Sequence, residues 1–140
     1  MPRPVGGGGL AGFRRRLSQN VNFIRRTEVE LSAVAARVRA GRKTWWHLAS
    51  AVLGEATDQQ LNLLLECIHF VLCGIVPIRK NTLARLRRTG RLPAIEAAGL
   101  GQSDNEGLTT LLRGERGTKV AALRASGRGL LVILGVFFGD

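Results

Sequence analysis

Four side chains in this sequence are of the types that bind metals or act as nucleophiles: Cys67, Cys73, His47 and His69. On a helix, His69 and Cys73 would share a face, because they stand four positions apart. A structural zinc site takes four ligands in paired spacings, and these residues lack such spacings. We therefore predict no metal site.

The spacing of the two cysteines also bears on disulfide formation. Cys67 and Cys73 fall in a segment with helical periodicity, and this separation puts them about 9 Å apart along the axis and on different sides. They cannot pair with each other, so the sequence fits an intracellular, reducing compartment.

Nucleophilic and acid–base catalysis have no support in the sequence. No serine stands in a G-x-S-x-G context, neither cysteine has a basic flank, and the acidic residues are few and scattered. The segment Gly127-Arg128-Gly129 lacks the GK[ST] ending of a phosphate-binding loop. The sequence predicts a protein that is not an enzyme and has no cofactor.

The basic residues carry the strongest functional indication. There are 21 Lys and Arg against 10 Asp and Glu, giving a formal net charge of +11. Almost all of the cations are arginine, whose planar guanidinium suits bidentate contact with phosphate. A domain this basic typically binds nucleic acid or an anionic membrane surface.

The elements that must position these cations are predicted to be helices. We predict an all-α fold with a disordered basic arm over residues 1–26, a domain of about four helices over 27–98, and a Gly-rich loop, short helices and an apolar tail over 99–140. The arm is rich in Gly and Arg, a composition typical of disorder. It is also compatible with a mitochondrial presequence.

The four helices follow from caps and apolar periodicity. They are predicted from Thr27 to Gly41, from Thr44 to Gly54, over 57–73 and over 78–89. Thr27 with Glu30, and Thr57 with Gln60, have the spacing of a capping box, and Gly74 is the expected stop of the third helix. The third is apolar nearly all round, which indicates a central buried helix. Asn62, Glu66 and His69 interrupt it, and this favours a core helix over a membrane span.

The tail, residues 129–138, is almost entirely apolar. It is too short to cross a bilayer as a helix, which takes about 20 residues. A buried strand, a docked helix and an exposed tail remain open, because periodicity does not separate them.

Two sets of residues are predicted to bind partners. The interface candidates are Trp45, Trp46, Phe137 and Phe138. The predicted phosphate contacts come from the arm and from the basic helix that follows Pro77. They are Arg14, Arg15, Arg16, Arg25, Arg26, Arg79, Lys80, Arg85, Arg87, Arg88 and Arg91. The third and fourth helices have the layout of a helix-turn-helix, but the exposed side of the fourth offers mainly arginine, which favours phosphate contact without base readout.

The same unit resembles the short basic virion-core proteins of Maverick/Polinton elements and adintoviruses, a family compared with the condensing peptides of adenovirus cores. The matching residues are Leu65-Glu66-Cys67-Ile68, Val71-Leu72, Gly74, Val76-Pro77-Ile78 and the basic stretch from Leu83 to Arg88, with a weaker match from Lys119 to Leu131. Phe70 departs from the family's usual Asn, and the second basic run is less basic. The resemblance implies a structural protein that packs DNA inside a capsid, located in the virion or the host nucleus.

The leading functional hypothesis is therefore a non-enzymatic protein that binds and compacts nucleic acid, DNA rather than RNA. Two alternatives stay open. In one, the apolar tail inserts into an anionic membrane surface, or mediates self-association, while the basic residues meet lipid headgroups. In the other, the chain is a structural RNA-binding subunit, such as a mitochondrial ribosomal protein.

Overall fold

The computed structural model describes residues 9–40, 45–89, 99–101, 106–127 and 129–137. Within these ranges the regular structure is helical and includes no strand, so the predicted all-α class is confirmed. The helices are α1 (Gly9–Gln19), α2 (Val21–Ala40), α3 (Trp45–Gly54), α4 (Asp58–Leu72), α5 (Lys80–Thr89), α6 (Glu106–Arg113), α7 (Arg116–Ala125) and α8 (Gly129–Val136). The described part thus holds eight helices, where about four were predicted.

The prediction of a disordered arm is wrong for residues 9–26, which lie in α1 and the start of α2; residues 1–8 lie outside the described part. Leu10, Phe13 and Leu17 recur at helical spacing and pack on the core, where Phe13 is only 1% exposed. The Gly and Arg content of the segment hides this apolar stripe. A few large side chains on one face are enough to dock a short helix when a partner helix supplies the rest of the burial.

Helix α2 begins at Val21, six residues before the predicted start, and this also corrects the proposed cap. The Thr27 hydroxyl donates to the Phe23 carbonyl at 2.8 Å and is buried inside the helix. Asn20 is the single residue between α1 and α2, and its side-chain amide donates to the Arg16 carbonyl at 2.8 Å. The capping-box spacing after Thr27 is therefore a coincidence of sequence.

Helix α4 is the centre of the fold, as predicted. Its capping box is confirmed, because the Gln60 amide donates to the Thr57 hydroxyl at 3.1 Å and the Thr57 amide donates to the Gln60 side chain at 2.9 Å. From Leu63 to Val71 every residue is buried. The helix ends at a turn in which Gly74 has a φ of +76°, a left-handed conformation that suits glycine.

The other helices surround α4. It contacts α1, α6, α7 and α8, while α2 packs on α3 and α8, and α5 packs on α8. Arg116 joins the end of α3 to the start of α4, because it donates to the Gly54 carbonyl at 2.6 Å and to Asp58 at 3.4 Å. Arg124 links α7 to α3 through the Ser50 hydroxyl at 2.7 Å.

The apolar tail is a docked helix in this fold. Leu130, Ile133 and Leu134 of α8 are fully buried, and α8 contacts α2, α4 and α5. This settles which of the three conformations left open by the sequence is adopted. Among the described residues, no helix combines the length and apolarity that crossing a membrane would take.

Candidate nucleic-acid interface

Most of the predicted phosphate-binding side chains face solvent. Among those whose side chains are described, the exposed ones are Arg14, Arg15, Arg25, Arg26, Arg79, Lys80, Arg85 and Arg88. The side chain of Arg87 and the whole of Arg91 lie outside the described part. The exposed cations belong to α1, α2, α5 and the residue that precedes α5.

Arg16 differs from this exposed set, because its charge is used inside the protein. Its guanidinium donates to the Glu66 carboxylate at 2.6 Å, and the Glu66 side chain is only 3% exposed. Burial raises the pKa of Glu66, and the neighbouring Arg16 partly opposes that rise. Arg16 thus ties α1 to the central helix α4, which leaves it less available to a phosphate than its neighbours Arg14 and Arg15.

An open groove of about 450 Å³ lies between the N-terminal helices and the turn before α5. Its lining residues are Phe13, Arg14, Leu17, Ser18, Val21, Arg25, Val76 and Phe137. Val76 is three residues before Arg79, a stretch of no more than about 11 Å. The groove therefore brings Arg14 of α1 and Arg25 of α2 to the turn that leads into α5.

Helix α5 presents its charges outward as predicted. Leu86 is fully buried and Leu83 packs on the core, whereas Arg85 and Arg88 are exposed. The helix packs on α8, and the connection from α4 runs from Cys73 to Arg79. This connection is longer than the 3–4-residue turn of a helix-turn-helix unit.

Arg26 has an acidic neighbour among the described residues. Glu30 lies 3.9 Å from the Arg26 guanidinium, at the outer limit of an ion pair between exposed groups. The Arg26 guanidinium carbon also lies 6.0 Å from the centre of the Phe23 ring. An exposed pair of this kind contributes at most about 1 kcal/mol, so it does not hold Arg26 away from a phosphate.

His69 and Cys73 meet as their spacing predicts. The His69 Nδ1 atom lies 2.8 Å from the Leu100 carbonyl oxygen, and since a carbonyl only accepts, Nδ1 carries the proton. The Cys73 sulfur lies 3.7 Å from Nε2. Within the described part no three His, Cys, Asp or Glu side chains converge, and neither cysteine is in a disulfide.

Two of the four interface candidates, Trp45 and Phe137, have side chains that the structure describes. Trp45 is half-buried against the core, and its indole Nε1 is buried without a hydrogen-bond partner in the described structure. Phe137 lies 5.8 Å from Phe13, ring centre to ring centre, and lines the groove. The side chain of Trp46 and all of Phe138 lie outside the described part.

No protein-family model, curated protein or solved structure matches this chain.

Two features of the site were not predicted from the sequence. One is the groove, which forms only when Val76 and Phe137 meet α1 and α2. The other is the Arg16–Glu66 pair, although the sequence does carry a hint of it. Glu66 is an acidic residue in an otherwise apolar helix, and a buried carboxylate requires a cationic partner.

Proposed function

We propose that this protein binds and compacts nucleic acid, DNA in the first place, through phosphate contacts and without catalysis. The observation that carries the proposal is the set of exposed cations on α1, α2 and α5, two of which, Arg14 and Arg25, share a groove with the turn that leads into α5. Three helices thus present exposed cations in a chain of net charge +11. Such an arrangement suits a polyanion better than a single small anion.

The exposed chemistry favours binding without base selection. Along α5 the exposed side chains include Lys80, Asn81, Arg85 and Arg88, and of these Asn81 alone is an amide of the kind that pairs with adenine, whereas the cations also suit phosphate. Phosphate contacts fix position on a duplex but carry no sequence information. This agrees with a packing role, such as the one implied by the resemblance to virion-core proteins.

Salt dependence is the most direct test. If six to ten phosphates are neutralised, affinity for a random-sequence duplex should fall by roughly 10³–10⁵ between about 50 and 200 mM salt. The double variant Arg79→Gln/Arg88→Gln should reduce the magnitude of the log–log slope by about 2, since each lost phosphate contact removes about 0.9. Light scattering of long DNA reports compaction in parallel.

The matched control removes the same charge elsewhere. Arg37 near the end of α2 and Arg113 at the end of α6 are also exposed, and neither is among the predicted contacts. Arg37→Gln/Arg113→Gln should leave the slope nearly unchanged. A flat salt response of the unaltered protein, or equal losses in the two double variants, would refute the proposal.

The two alternatives are separated by further arms of the same titration. Tighter binding to duplex RNA than to DNA in competition would favour a structural RNA-binding subunit. Tight binding to anionic liposomes beside weak DNA binding would favour the membrane alternative. Insertion of the tail would first require α8 to leave the core, because Leu130, Ile133 and Leu134 are fully buried.

A further inference from the structure

A polar pocket of about 340 Å³ lies between α1, α4 and α6, apart from the groove at Phe137. Helices α1 and α4 meet here through the ion pair between Arg16 and Glu66, which lines the pocket. The polar side chains of the lining include those of Arg16, Asn20, Gln59, Asn62 and Glu66. A cation, a carboxylate and several amides in one small pocket are typical of a site that takes a polar ligand with hydrogen-bonding groups along one edge.

Two acceptors of this pocket have capacity for the N–H groups of a ligand. The Asn62 Oδ1 atom is buried and has no hydrogen-bond partner among the described residues, which is an unfavourable state for an acceptor. Glu66 accepts from Arg16 through Oε2, and a carboxylate can accept about four hydrogen bonds. Because Asn62 and Glu66 are four positions apart on α4, they lie on the same face of the helix. The pocket thus places two acceptors near the guanidinium donor of Arg16.

We propose that the pocket binds a guanine base through the edge that pairs with cytosine in a duplex. Glu66 accepts from N1–H and from one hydrogen of the 2-amino group, Asn62 Oδ1 accepts from the other hydrogen, and Arg16 donates to O6. Guanine alone among the bases presents two adjacent donor groups followed by an acceptor on this edge. Since the edge is occupied in a duplex, the ligand is an unpaired guanine, in a free nucleotide or in a single strand. The inference therefore goes beyond the proposed contacts with duplex phosphates.

The volume and the apolar lining suit a flat bicyclic base. A volume of about 340 Å³ lies in the usual range for small-molecule sites, about 300–1,000 Å³. A water takes about 30 Å³, so a single water at Asn62 would leave most of the pocket unfilled. Leu63 of α4 and Leu112 of α6 also line the pocket and offer apolar surface to the faces of a ring. An inorganic anion would not use this surface, and the Glu66 carboxylate would repel it.

The polar groups are held in place before a ligand binds. Arg16 donates to Glu66 at 2.6 Å, and only 3% of the Glu66 side chain is exposed. Three positions before Arg16, Phe13 packs on Phe70 of α4 with ring centres 4.7 Å apart. A polar and an apolar contact therefore fix the position of α1 on α4. A site formed in advance loses less conformational entropy when the ligand binds.

The test is calorimetric titration of the full chain with guanosine, inosine and adenosine 5′-monophosphates. The three share the sugar and the phosphate, so differences among them report on the base. A salt concentration of about 0.2 M weakens contacts between the phosphate and the exposed arginines. We expect one guanosine monophosphate per chain, about tenfold weaker binding of inosine monophosphate, which lacks the 2-amino group, and still weaker binding of adenosine monophosphate. Equal affinities would overturn the inference, whatever the outcome of the salt titration with duplex DNA.

A variant at Asn62 tests the contact with the 2-amino group. Asn62→Ala should reduce the preference for guanosine over inosine monophosphate from about tenfold to about threefold or less, because one acceptor of the amino group is gone. The substitution removes a buried acceptor that has no partner in the described part, so the fold should tolerate it. Asn22→Ala, at an exposed residue of α2 away from the pocket, should leave the preference unchanged. An undiminished preference in Asn62→Ala would contradict the assigned contact.

A double variant separates binding from folding. Arg16→Gln/Glu66→Gln removes both charges together and so leaves neither of them buried without its partner. Circular dichroism checks that the fold is kept. Guanosine monophosphate should bind this variant more than about tenfold more weakly, because N1–H loses the carboxylate and O6 loses the guanidinium. Undiminished binding by the folded double variant would place the nucleotide elsewhere and overturn the inference.

Competition with short single strands identifies the source of the guanine. Oligothymidine with one central guanine is compared with uninterrupted oligothymidine at the same salt concentration. Tighter binding of the strand with guanine assigns the pocket to unpaired nucleic acid. Equal binding of the two strands, together with the preference for guanosine monophosphate, assigns it to a free nucleotide. A preference for guanine in neither form refutes the site.

Discussion

At the scale of single residues, Glu66 is the acidic side chain whose surroundings most constrain its chemistry. Within the described part it is the one acidic residue that is buried, and Arg16 is its partner at 2.6 Å. Removing a carboxylate from water is unfavourable, and a paired guanidinium repays only part of that loss. The pair therefore fixes the position of α1 more than it adds to net stability.

Replacing Arg16 with Gln should lower the free energy of unfolding by about 1–3 kcal/mol near neutral pH, because Glu66 is then buried without its charged partner. The double variant Arg16→Gln/Glu66→Gln should recover most of the loss, since both desolvated charges are gone. Urea denaturation measures both. Arg15→Gln, at the exposed neighbouring position, should stay within about 0.5 kcal/mol of the unaltered protein.

The pH dependence of Glu66 gives a second readout. Burial raises the pKa of this carboxyl above its ordinary value of 4.5, with Arg16 opposing the shift. As pH rises, Glu66 ionises in the unfolded chain before it ionises in the folded protein. The stability that protonated Glu66 contributes below pH 4.5 is therefore lost as the pH passes through the folded-state pKa of this carboxyl. Relative to Glu66→Gln, the unaltered protein should lose stability from about pH 4 upward. If the unaltered protein instead gained stability relative to Glu66→Gln over this range, the pKa of Glu66 would not be raised.

The two thiols should differ sharply in reactivity. Burial, with a smaller effect from Glu66, raises the pKa of the Cys67 thiol far above its ordinary value, whereas Cys73 at the end of α4 is only half-buried. Thiol titration with an aromatic disulfide should modify Cys73 in the native protein and reach Cys67 only as the fold opens. Cys73→Ser should remove the fast reaction and Cys67→Ser should preserve it. A fast reaction at Cys67 would show that α4 is not buried as described.

At the scale of elements, the turn at residues 99–101 attaches the chain between α5 and α6 to the central helix. Leu100 is fully buried, and its carbonyl accepts the hydrogen bond from His69. Gly99 makes this possible with a φ of +88° and a close approach to Gly107, whose Cα would lie 2.7 Å from an added Cβ. Both the backbone conformation and the contact exclude a side chain at this position.

Gly99→Ala should therefore lower the free energy of unfolding by about 2–4 kcal/mol, from left-handed strain and from the backbone contact together. Gly117→Ala is the matched substitution, because Gly117 lies in α7 with nothing within 4 Å of an added Cβ. That variant should be neutral or gain up to about 1 kcal/mol. Thermal and urea denaturation measure the free energy of unfolding of both variants. Equal losses in Gly99→Ala and Gly117→Ala would refute this account of the turn.

The elements also show what a sequence can predict. Helices α3 and α4, with the capping box at Thr57 and the turn at Gly74, follow from local spacing because caps and apolar faces are local properties. The short helices α6 and α7 lie within the stretch 99–140, for which short helices are predicted. The start of α2 could not be placed in this way, because Thr27 and Glu30 mimic a cap within a continuous helix.

The part of the site that lies on α5 was predicted correctly because the facing of a helix is also a local property. Cations on α5 that alternate with Leu83 and Leu86 are exposed as expected, because a local apolar stripe fixes the facing of the helix. The pairing of Arg16 with Glu66 spans 50 positions of sequence, and the groove requires Phe137 to reach Phe13. Such contacts depend on tertiary packing, which local patterns do not encode.

At the scale of the whole molecule, the net charge of +11 makes the folded state repel itself. The exposed cations of α1, α2 and α5 outnumber the acidic residues of these helices, Glu28 and Glu30. Ion pairs among the described residues include Arg16–Glu66, Arg26–Glu30 and Arg116–Asp58. A surface of this kind is unfavourable for stability in isolation and favourable for binding a polyanion. Stability and binding should therefore respond to salt in opposite directions.

Raising sodium chloride from about 0.01 to 0.1 M shortens the Debye length from about 30 to 10 Å and screens the repulsion among these cations. The melting temperature of the free protein should rise by about 3–6 °C, equivalent to roughly 1 kcal/mol for a chain of this length. Arg79→Gln/Arg88→Gln should melt higher than the unaltered protein at the low salt concentration and respond less to added salt.

Short duplex DNA should raise the melting temperature at low salt, because it binds the folded state, and this increment should shrink as salt is added. Differential scanning calorimetry with and without DNA measures both effects on one sample. A melting temperature that falls with salt in the free protein would mean that attractive ion pairs outweigh the repulsion, and the exposed cations would then be structural rather than reserved for a polyanion.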